Sequence, residues 1–394
     1  MPSGWGVQNR RRDGLRGTLE TVIRRLYVHN FRCLENFTLP LEGQSSVLLI
    51  GSNGSGKSTV RKALELLQKI ARGTSRVGSL IHASDLSWGR SEVPVRFEIG
   101  AVIEGKTYEY SIAFELPPGL KEFRVLEEKL IADGEVQYSR ELADIRIIQN
   151  AGRTAKDVAF PLDWHLAALP MVQERSQRDP LFLFKRWLAR MIILSPVPDL
   201  IDGGSSTETL EPDVKGLLFG AWFSGLIAHS PAAYLVIDKY LKDVLPDFVG
   251  ILNPVSGKDY RKMEVQFEAE SGVGFTLPFE TLSLGEKCFF LCAMVLAAIR
   301  AYGPIVCFWD EPDNHLAISE VGHFVMTLRK AFLSGGGQFI ATSHNAEAIR
   351  KFSDENTLVL HRANHRTHST IRPLSELEVH GDLVGALIRG DVEP

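Results

Sequence analysis

Apolar positions along the chain follow two rhythms, and the order in which they alternate predicts the elements. Ordered structure is expected from about Thr21, where the stretch to Leu41 reads as two strands broken around Cys33 to Asn36. Val47 to Ile50 form a short apolar strand, a glycine-rich loop follows, and Val60, Ala63, Leu64, Leu67 and Ile70 then recur on one helical face. Residues 92–150 partly alternate apolar and polar between EGK, PPGLK and ADGE turns, which predicts an antiparallel sheet of three or more strands. Residues 157–250 read as mainly helical, with prolines as breaks and a loop over Ile201 to Asp213. Met263 to Phe279 reads as a β-hairpin. The last block repeats helix and strand: helix Gly285 to Ala301, strand IVCFWD, helix Ser319 to Phe332, strand QFIATSH, helix Ala346 to Phe352, strand TLVLHR.

Composition changes this picture little. The chain has 394 residues, 44% hydrophobic and 23% charged, enough for one large core or two domains. A net charge of −4 supplies no global basic field, so nucleic-acid binding would need a local patch. Lys185, Arg186 and Arg190, near Trp187 on an expected helix, are the candidate patch, although a solvated helix face explains them as well. Cys33, Cys288, Cys292 and Cys307 form no CxxC pair, which predicts buried thiols and a cytoplasmic setting. No apolar run reaches the ~18 residues of a membrane helix. The arginines of residues 1–20 have no apolar stretch after them, so this part reads as a basic disordered tail rather than a signal.

The chemistry lies in four short strings. GSNGSGKS, Gly51 to Ser58, joins the apolar strand to the helix, the context a phosphate-binding loop needs. Backbone N–H groups of Asn53, Gly54, Gly56 and Thr59 and the helix N-terminus favour phosphate; Lys57 reaches the terminal phosphates and Ser58 suits Mg²⁺. ATP with Mg²⁺ is therefore the expected ligand pair. The strand Ile305 to Phe308 ends in Trp309-Asp310-Glu311, where Asp310 can hold the metal through water and Glu311 can polarise an attacking water. In LSLGEK, Ser283, Gly285 and Glu286 open a second helix and form a second phosphate cradle, which one copy does not need for its own ATP. His344 ends the neighbouring strand, placed for the γ-phosphate or the water. His361, His365 and His368 lie in an expected hairpin loop and read poorly as a metal set.

These strings, in this order, resemble the ABC-type ATPases, specifically the non-transporter branch of SMC, RecF, Rad-type repair and OLD-like proteins. The resemblance covers roughly residues 21–85 and 260–394. His29 to Arg32 resemble the segment that opens those proteins, which makes Arg32 an expected ATP contact. The resemblance implies an α/β fold, an ABC-type P-loop ATPase head with a mixed sheet (residues 21–90 and 261–394); the residues between depart from the family and read as a β-rich lobe (91–155) and an inserted helical lobe (156–260). It further implies a head-to-tail homodimer or higher homo-oligomer, with Lys57, Ser58, Asp310, Glu311 and His344 from one copy meeting Ser283 and Gly285 of another. Asp313 falls at the family's D-loop. The insert is too short for a long coiled coil, and the stretch after His344 is too short for a nuclease domain. The Q-loop is not identifiable: Gln149, Gln173 and Ser84-Asp85 all remain candidates.

An ATPase with a compact insert and no effector of its own resembles the stand-alone ATPases of bacterial anti-phage systems such as PARIS. That implies a sensor or scaffold governing a separate nuclease or toxin, with a phage-derived trigger. A RecF-like clamp on DNA is the alternative. A transporter motor is a third reading, disfavoured by the opening segment and the extra lobes.

Overall fold

The structure, a computed structural model, describes residues 21–148, 158–268 and 272–377. The basic tail and Gln149 lie outside them. In chain order the strands and helices are β1 (Val22–His29), β2 (Phe37–Pro40), β3 (Ser46–Ile50), α1 (Lys57–Ala71), β4 (Val95–Ile103), β5 (Lys106–Glu115), β6 (Arg124–Ala132), β7 (Glu135–Glu141), β8 (Asp144–Ile147) and β9 (Val158–Pro161). Then come α2 (Pro180–Arg190), β10 (Ile192–Leu194), β11 (Gly204–Ser205), α3 (Phe219–His229), α4 (Ala233–Val244), β12 (Phe248–Leu252), β13 (Arg261–Lys262), β14 (Glu264–Glu268) and β15 (Gly274–Pro278). The last block is α5 (Leu284–Tyr302), β16 (Val306–Asp310), α6 (Ile318–Gly335), β17 (Gln338–Thr342), α7 (Ala346–Ile349), β18 (Thr357–His361) and β19 (Thr370–Pro373).

Two sheets carry the architecture. The central one runs β10-β16-β17-β3-β18-β19, parallel except for the closing β18–β19 hairpin. Its parallel strands are mostly apolar and buried because both faces are covered, whereas the edge strand β19 is partly exposed. Successive side chains point to opposite faces, so Val47, Leu49, Val306, Phe308 and Ile340 enter one core with α1 and α2. Leu48, Ile50, Cys307, Trp309, Phe339 and Ala341 enter a second core with α3, α4, α5 and α6. A hydrophobic face of α1 meets the first core through Val60, Ala63, Leu64, Leu67 and Ile70, all fully buried, as the helical period predicts.

The other sheet is antiparallel, ordered β2-β1-β4-β5-β6-β7-β8-β9. Strict alternation of buried and half-buried positions in β4 marks a one-sided face. Two buried polar devices anchor it. Gln338, at the start of β17, accepts from Ile23 N at 3.0 Å and donates to Ile23 O at 3.1 Å and Gln44 O at 2.8 Å, stitching β1 to the central sheet. Glu128 on β6 accepts from Tyr110, Tyr138, Ala168 and Leu169, and Arg140 lies 3.9 Å away with neither charged side chain exposed. The carboxylate thus binds the segment after β9 to the β lobe.

The expected helical stretch 157–250 is only partly helical. It also contains β9, and β10 joins the central sheet beside β16. Three apolar residues are too few to display a period, so β10 is indistinguishable by pattern from a continuation of α2. The expected hairpin over Met263 to Phe279 is β14–β15. All four cysteines are buried free thiols; burial pushes Cys288 and Cys292 up to about 12. Among the described residues no helix is long and apolar enough to cross a membrane.

Candidate functional site

The parallel strands β10, β16, β17 and β3 all end on one edge, and the loop after β3 delivers the first cluster of polar groups there. This loop turns sharply: Gly51, Gly54 and Gly56 have positive φ. At Gly51 a Cβ would stand 2.1 Å from Leu360 O, and at Gly56 2.8 Å from Ser369 Oγ, so neither position accepts a side chain. Asn53 and Gly54 are exposed at the loop's crest. Gly56 caps α1, directing the first-turn N–H groups outward as an anion cradle. Lys57 Nζ donates to Gly51 O at 2.7 Å and Ser52 O at 3.2 Å. Burial lowers the Lys57 ammonium from its usual range, an effect opposed by Glu311 and Asp310.

Strand β16 brings the acids. Asp310 Oδ1 accepts from Thr342 Oγ1 at 2.7 Å; Oδ2 faces Ser58 Oγ at 3.3 Å, Arg61 Nε at 3.3 Å and Ser195 Oγ at 3.5 Å. Glu311 leaves the strand with φ 53°, a left-handed conformation for a residue with a side chain. Such backbone costs on the order of 1–3 kcal/mol and persists only where surroundings hold it. Here Glu311 N donates to Thr342 Oγ1 at 2.9 Å and Asn314 Nδ2 donates to Glu311 Oε2 at 2.5 Å. His344 Nε2 stands 3.5 Å from Glu311 Oε1. Burial, and then Lys57, lower the imidazole pKa, while Glu311 and Asp310 oppose them; the balance favours the uncharged ring. Lys57, Ser58, Asp310, Glu311 and His344 therefore share one cluster.

The other expected residues sit around it or apart from it. Thr59 Oγ1 accepts from the Cys33 thiol at 3.5 Å, tying α1 to the turn after β1. Arg32, at φ 55° in that turn, pairs with Asp85 at 2.6 Å and keeps a side chain that is 39% exposed. Asp85 thus anchors Arg32. Asp313 is buried, accepts from Ser343 Oγ at 2.9 Å, and is raised from its usual range by that burial. Ser283 and Glu286 form a capping box on α5: Ser283 Oγ accepts from Glu286 N at 3.3 Å, and a Glu286 oxygen accepts from Ser283 N at 2.7 Å. Gly285 packs close to His315 O. Among the described residues no hydrogen bond or ion pair links Ser283, Gly285 or Glu286 to the cluster around Lys57. The His368 ring lies 4.3 Å from that of Trp88.

The basic trio of α2 is largely engaged: Lys185 pairs with Glu174, Arg186 lies 3.7 Å from Glu104, and Arg190 sits over the Tyr302 ring at 5.4 Å. Gln173 is an exposed residue in the segment before α2. Three members of the cluster escape sequence reasoning. Ser195 follows the unrecognised β10. Thr342 is part of TSH, but only the ladder pairing Asp310 with Thr342 reveals its partner. Arg61 is hidden in an ordinary helical pattern.

The donor set is made of hard oxygens, namely Ser58, Asp310 and the hydroxyls around them, with few protein groups in all. That fits Mg²⁺, which keeps several waters and takes its other ligands from phosphate. A loop of N–H donors with a lysine, a metal-suited pair and two acids at one sheet edge suits phosphoryl chemistry on a nucleoside triphosphate.

Comparison with known proteins agrees. A family described as "AAA domain, putative AbiEii toxin, Type IV TA system" matches residues 46–350, well over half of the chain. An OLD nuclease of Thermus scotoductus is 44% identical over 46 residues, 12% of this chain and 8% of that protein. The energy-coupling factor transporter ATP-binding protein EcfA of Pediococcus pentosaceus is 30% identical over 92 residues, 22% of this chain and 31% of that protein. The chain spans less than a third of the length of these curated relatives. Among solved structures, an Smc head bound to the C-winged helix domain of ScpA superposes with a TM-score of 0.52 at 14% identity, over 90% of this chain and 99% of that one. An Smc head with an extended coiled coil, bound to the C-terminal domain of ScpA derived from Pyrococcus furiosus, gives 0.52 at 13%, over 90% and 97%. At such identities the likeness concerns the fold alone, which is that of an Smc head domain.

Proposed function

The chain belongs to this AAA-domain family, and from that premise we propose that it binds and slowly hydrolyses ATP with Mg²⁺ in a sandwich between two copies of itself. The observation that carries the reading is the division of the phosphate-binding groups. Lys57, Ser58, Asp310, Glu311 and His344 converge in one cluster, whereas among the described residues the Ser283 cradle has no bond to them. A second copy, turned head to tail, would bring Ser283 and Gly285 to the first copy's γ-phosphate.

The amides of residues 53–59 and Lys57 hold the phosphates, with Arg32 toward the nucleoside. Ser58 and Asp310 orient the metal, which when bound neutralises phosphate oxygens. Glu311 polarises the attacking water, and neutral His344, beside it, positions that water and the γ-phosphate. Asp313 connects the site to the second copy through the segment after β16.

The output is conformational: closing and opening of the pair governs a separate effector, a nuclease or toxin, in anti-phage defence, with a phage product as trigger. The toxin–antitoxin wording of the family description and the short likeness to an OLD nuclease support this setting over a DNA clamp. So does the engagement of Lys185, Arg186 and Arg190. The test is Glu311→Gln sized by mass photometry with and without ATP, alone and co-expressed with the neighbouring gene product. The reading expects an ATP-dependent doubling of mass and a stable complex with that product. A protein that stays monomeric in saturating ATP defeats the sandwich; a dimer that shifts duplex DNA and ignores the neighbour defeats the defence role.

A further inference from the structure

Asp310, the acid suited to hold Mg²⁺, already has a cation on it. Arg61 lies on α1, one turn beyond Ser58, and places Nε 3.3 Å from Asp310 Oδ2 while its Nη1 stands 3.0 Å from Glu65 Oε2. The contact is enclosed: the Arg61 and Asp310 side chains are 13% and 10% exposed. The position is not dictated by packing, since the first core takes Val60, Ala63 and Leu64 from this turn and leaves Arg61 at the edge of the polar cluster.

Charges interact in inverse proportion to distance and to the local dielectric, so a guanidinium in a water-poor corner competes strongly with any other cation for the same carboxylate. Ser58, the other metal-suited group, faces Asp310 Oδ2, as Ser195 does, while Thr342 bonds Oδ1, so Arg61 and a metal held with Ser58 meet on the Oδ2 side. The helix supplies an alternative seat. Glu65 is one turn along α1 from Arg61, the spacing at which side chains face each other. It already holds the Arg61 guanidinium by its other nitrogen, and Lys69 by its second oxygen at 2.8 Å. Arg61 can therefore turn away from Asp310 without losing its second anchor.

We propose that Arg61 is a built-in competitor of Mg²⁺ for Asp310, a positioning residue that sets the metal concentration at which the nucleotide site becomes competent, with Glu65 as its release seat. The inference rests on the reading of Ser58 and Asp310 as the metal-holding pair. It predicts opposite effects for two neighbouring substitutions. Arg61→Gln removes the competing charge and tightens metal binding. Glu65→Gln removes the release seat, leaves the guanidinium on Asp310, and weakens metal binding.

The experiment uses the full chain in excess over a non-hydrolysable ATP analogue, with Mn²⁺ titrated and free Mn²⁺ read by its electron paramagnetic resonance signal. The expected result is a dissociation constant about ten-fold lower for Arg61→Gln, several-fold higher for Glu65→Gln, and near the parent value for Arg61→Lys, which keeps the charge. Equal or weaker Mn²⁺ binding in Arg61→Gln overturns the proposal, as does tighter binding in Glu65→Gln. Should Arg61→Gln fail to fold by circular dichroism, Glu65→Gln decides alone. Asp310→Asn separates the layers: loss of Mn²⁺ binding there supports the underlying site, and retained binding removes the metal pair itself, whatever Arg61 does.

Discussion

The Thr342 hydroxyl donates to Asp310 Oδ1 at 2.7 Å and accepts from Glu311 N at 2.9 Å, so one side chain on β17 fixes two successive acids on β16. The parallel ladder makes this possible, because it places Thr342 directly opposite Asp310. Thr342→Val keeps the shape and removes both bonds. It leaves Asp310 held only through Oδ2, by Ser58, Arg61 and Ser195, and removes the bond that holds the strained Glu311 backbone. Steady-state phosphate release is expected to fall roughly 10- to 100-fold, the usual effect of a small misplacement of catalytic groups. Thr342→Ser should stay close to the parent. Equal turnover in the valine variant would show that the acids are held by other means.

Glu311→Gln removes the base while preserving side-chain size and the bond from Asn314. Turnover should drop by about 10²- to 10⁴-fold, the range for loss of a general base, with nucleotide affinity retained. Lys57→Ala should instead abolish binding of a fluorescent ATP analogue. Normal turnover in the glutamine variant would take Glu311 out of its role, and unchanged affinity in the alanine variant would do the same for Lys57.

His344 gives a prediction in pH. Burial and then the nearby Lys57 ammonium both disfavour imidazolium, while Glu311 and Asp310 oppose them. The ring of the nucleotide-free protein should therefore titrate below its ordinary 6.5 and be neutral at pH 7. Lys57→Met removes one of the two lowering influences, so the His344 midpoint should rise in that variant. Histidine proton or nitrogen shifts followed by NMR across the acid range would check both signs; a midpoint that falls in Lys57→Met would contradict this account.

Glu128 makes a stability prediction separate from chemistry. Its carboxylate satisfies four donors and lies beside Arg140, both charges wholly enclosed. Glu128→Leu strands the arginine and two tyrosine hydroxyls together with two amides. Losing one partner of a buried pair typically costs about 3–5 kcal/mol. The unfolding midpoint in urea should move down accordingly, and residues 163–172 should become protease-sensitive before the rest of the β lobe. An unchanged midpoint would mean that the network is dispensable.

Much of the fold and the heart of the site were legible because they rest on local order. The P-loop string is read from contiguous residues, and the Asp310-Glu311 pair from an apolar strand that ends in acids. Helix α1 shows its face through a period of a few residues. What escaped depends on pairing between distant segments. Strand β10 is three residues long and acquires its identity only by lying beside β16. Ser195, which follows it and reaches Asp310, was therefore invisible. Gln338 and Glu128 are ordinary polar letters in the sequence and become buried clasps only when the sheets assemble. Glu311 leaves the strand with positive φ, a change no composition rule signals.

The sandwich itself can be tested by mixing two inactive variants. Lys57→Ala disables the P-loop of a copy, and Ser283→Arg places a bulky cation at the capped start of α5, where the partner's phosphate would lie. If each site draws Lys57 from one copy and Ser283 from the other, a mixed dimer has one intact site and one doubly broken site. Random pairing of equal amounts makes half of the dimers mixed, each with one of two sites intact. ATPase activity should then recover to about one quarter of the parent level, although each variant alone is silent, as expected for a two-fold interface that contributes each patch twice. Recovery should require mixing before dimerisation and should vanish if the second variant also carries Lys57→Ala. A mixture as silent as its components would mean that Ser283 serves the P-loop of its own chain, or serves no phosphate at all.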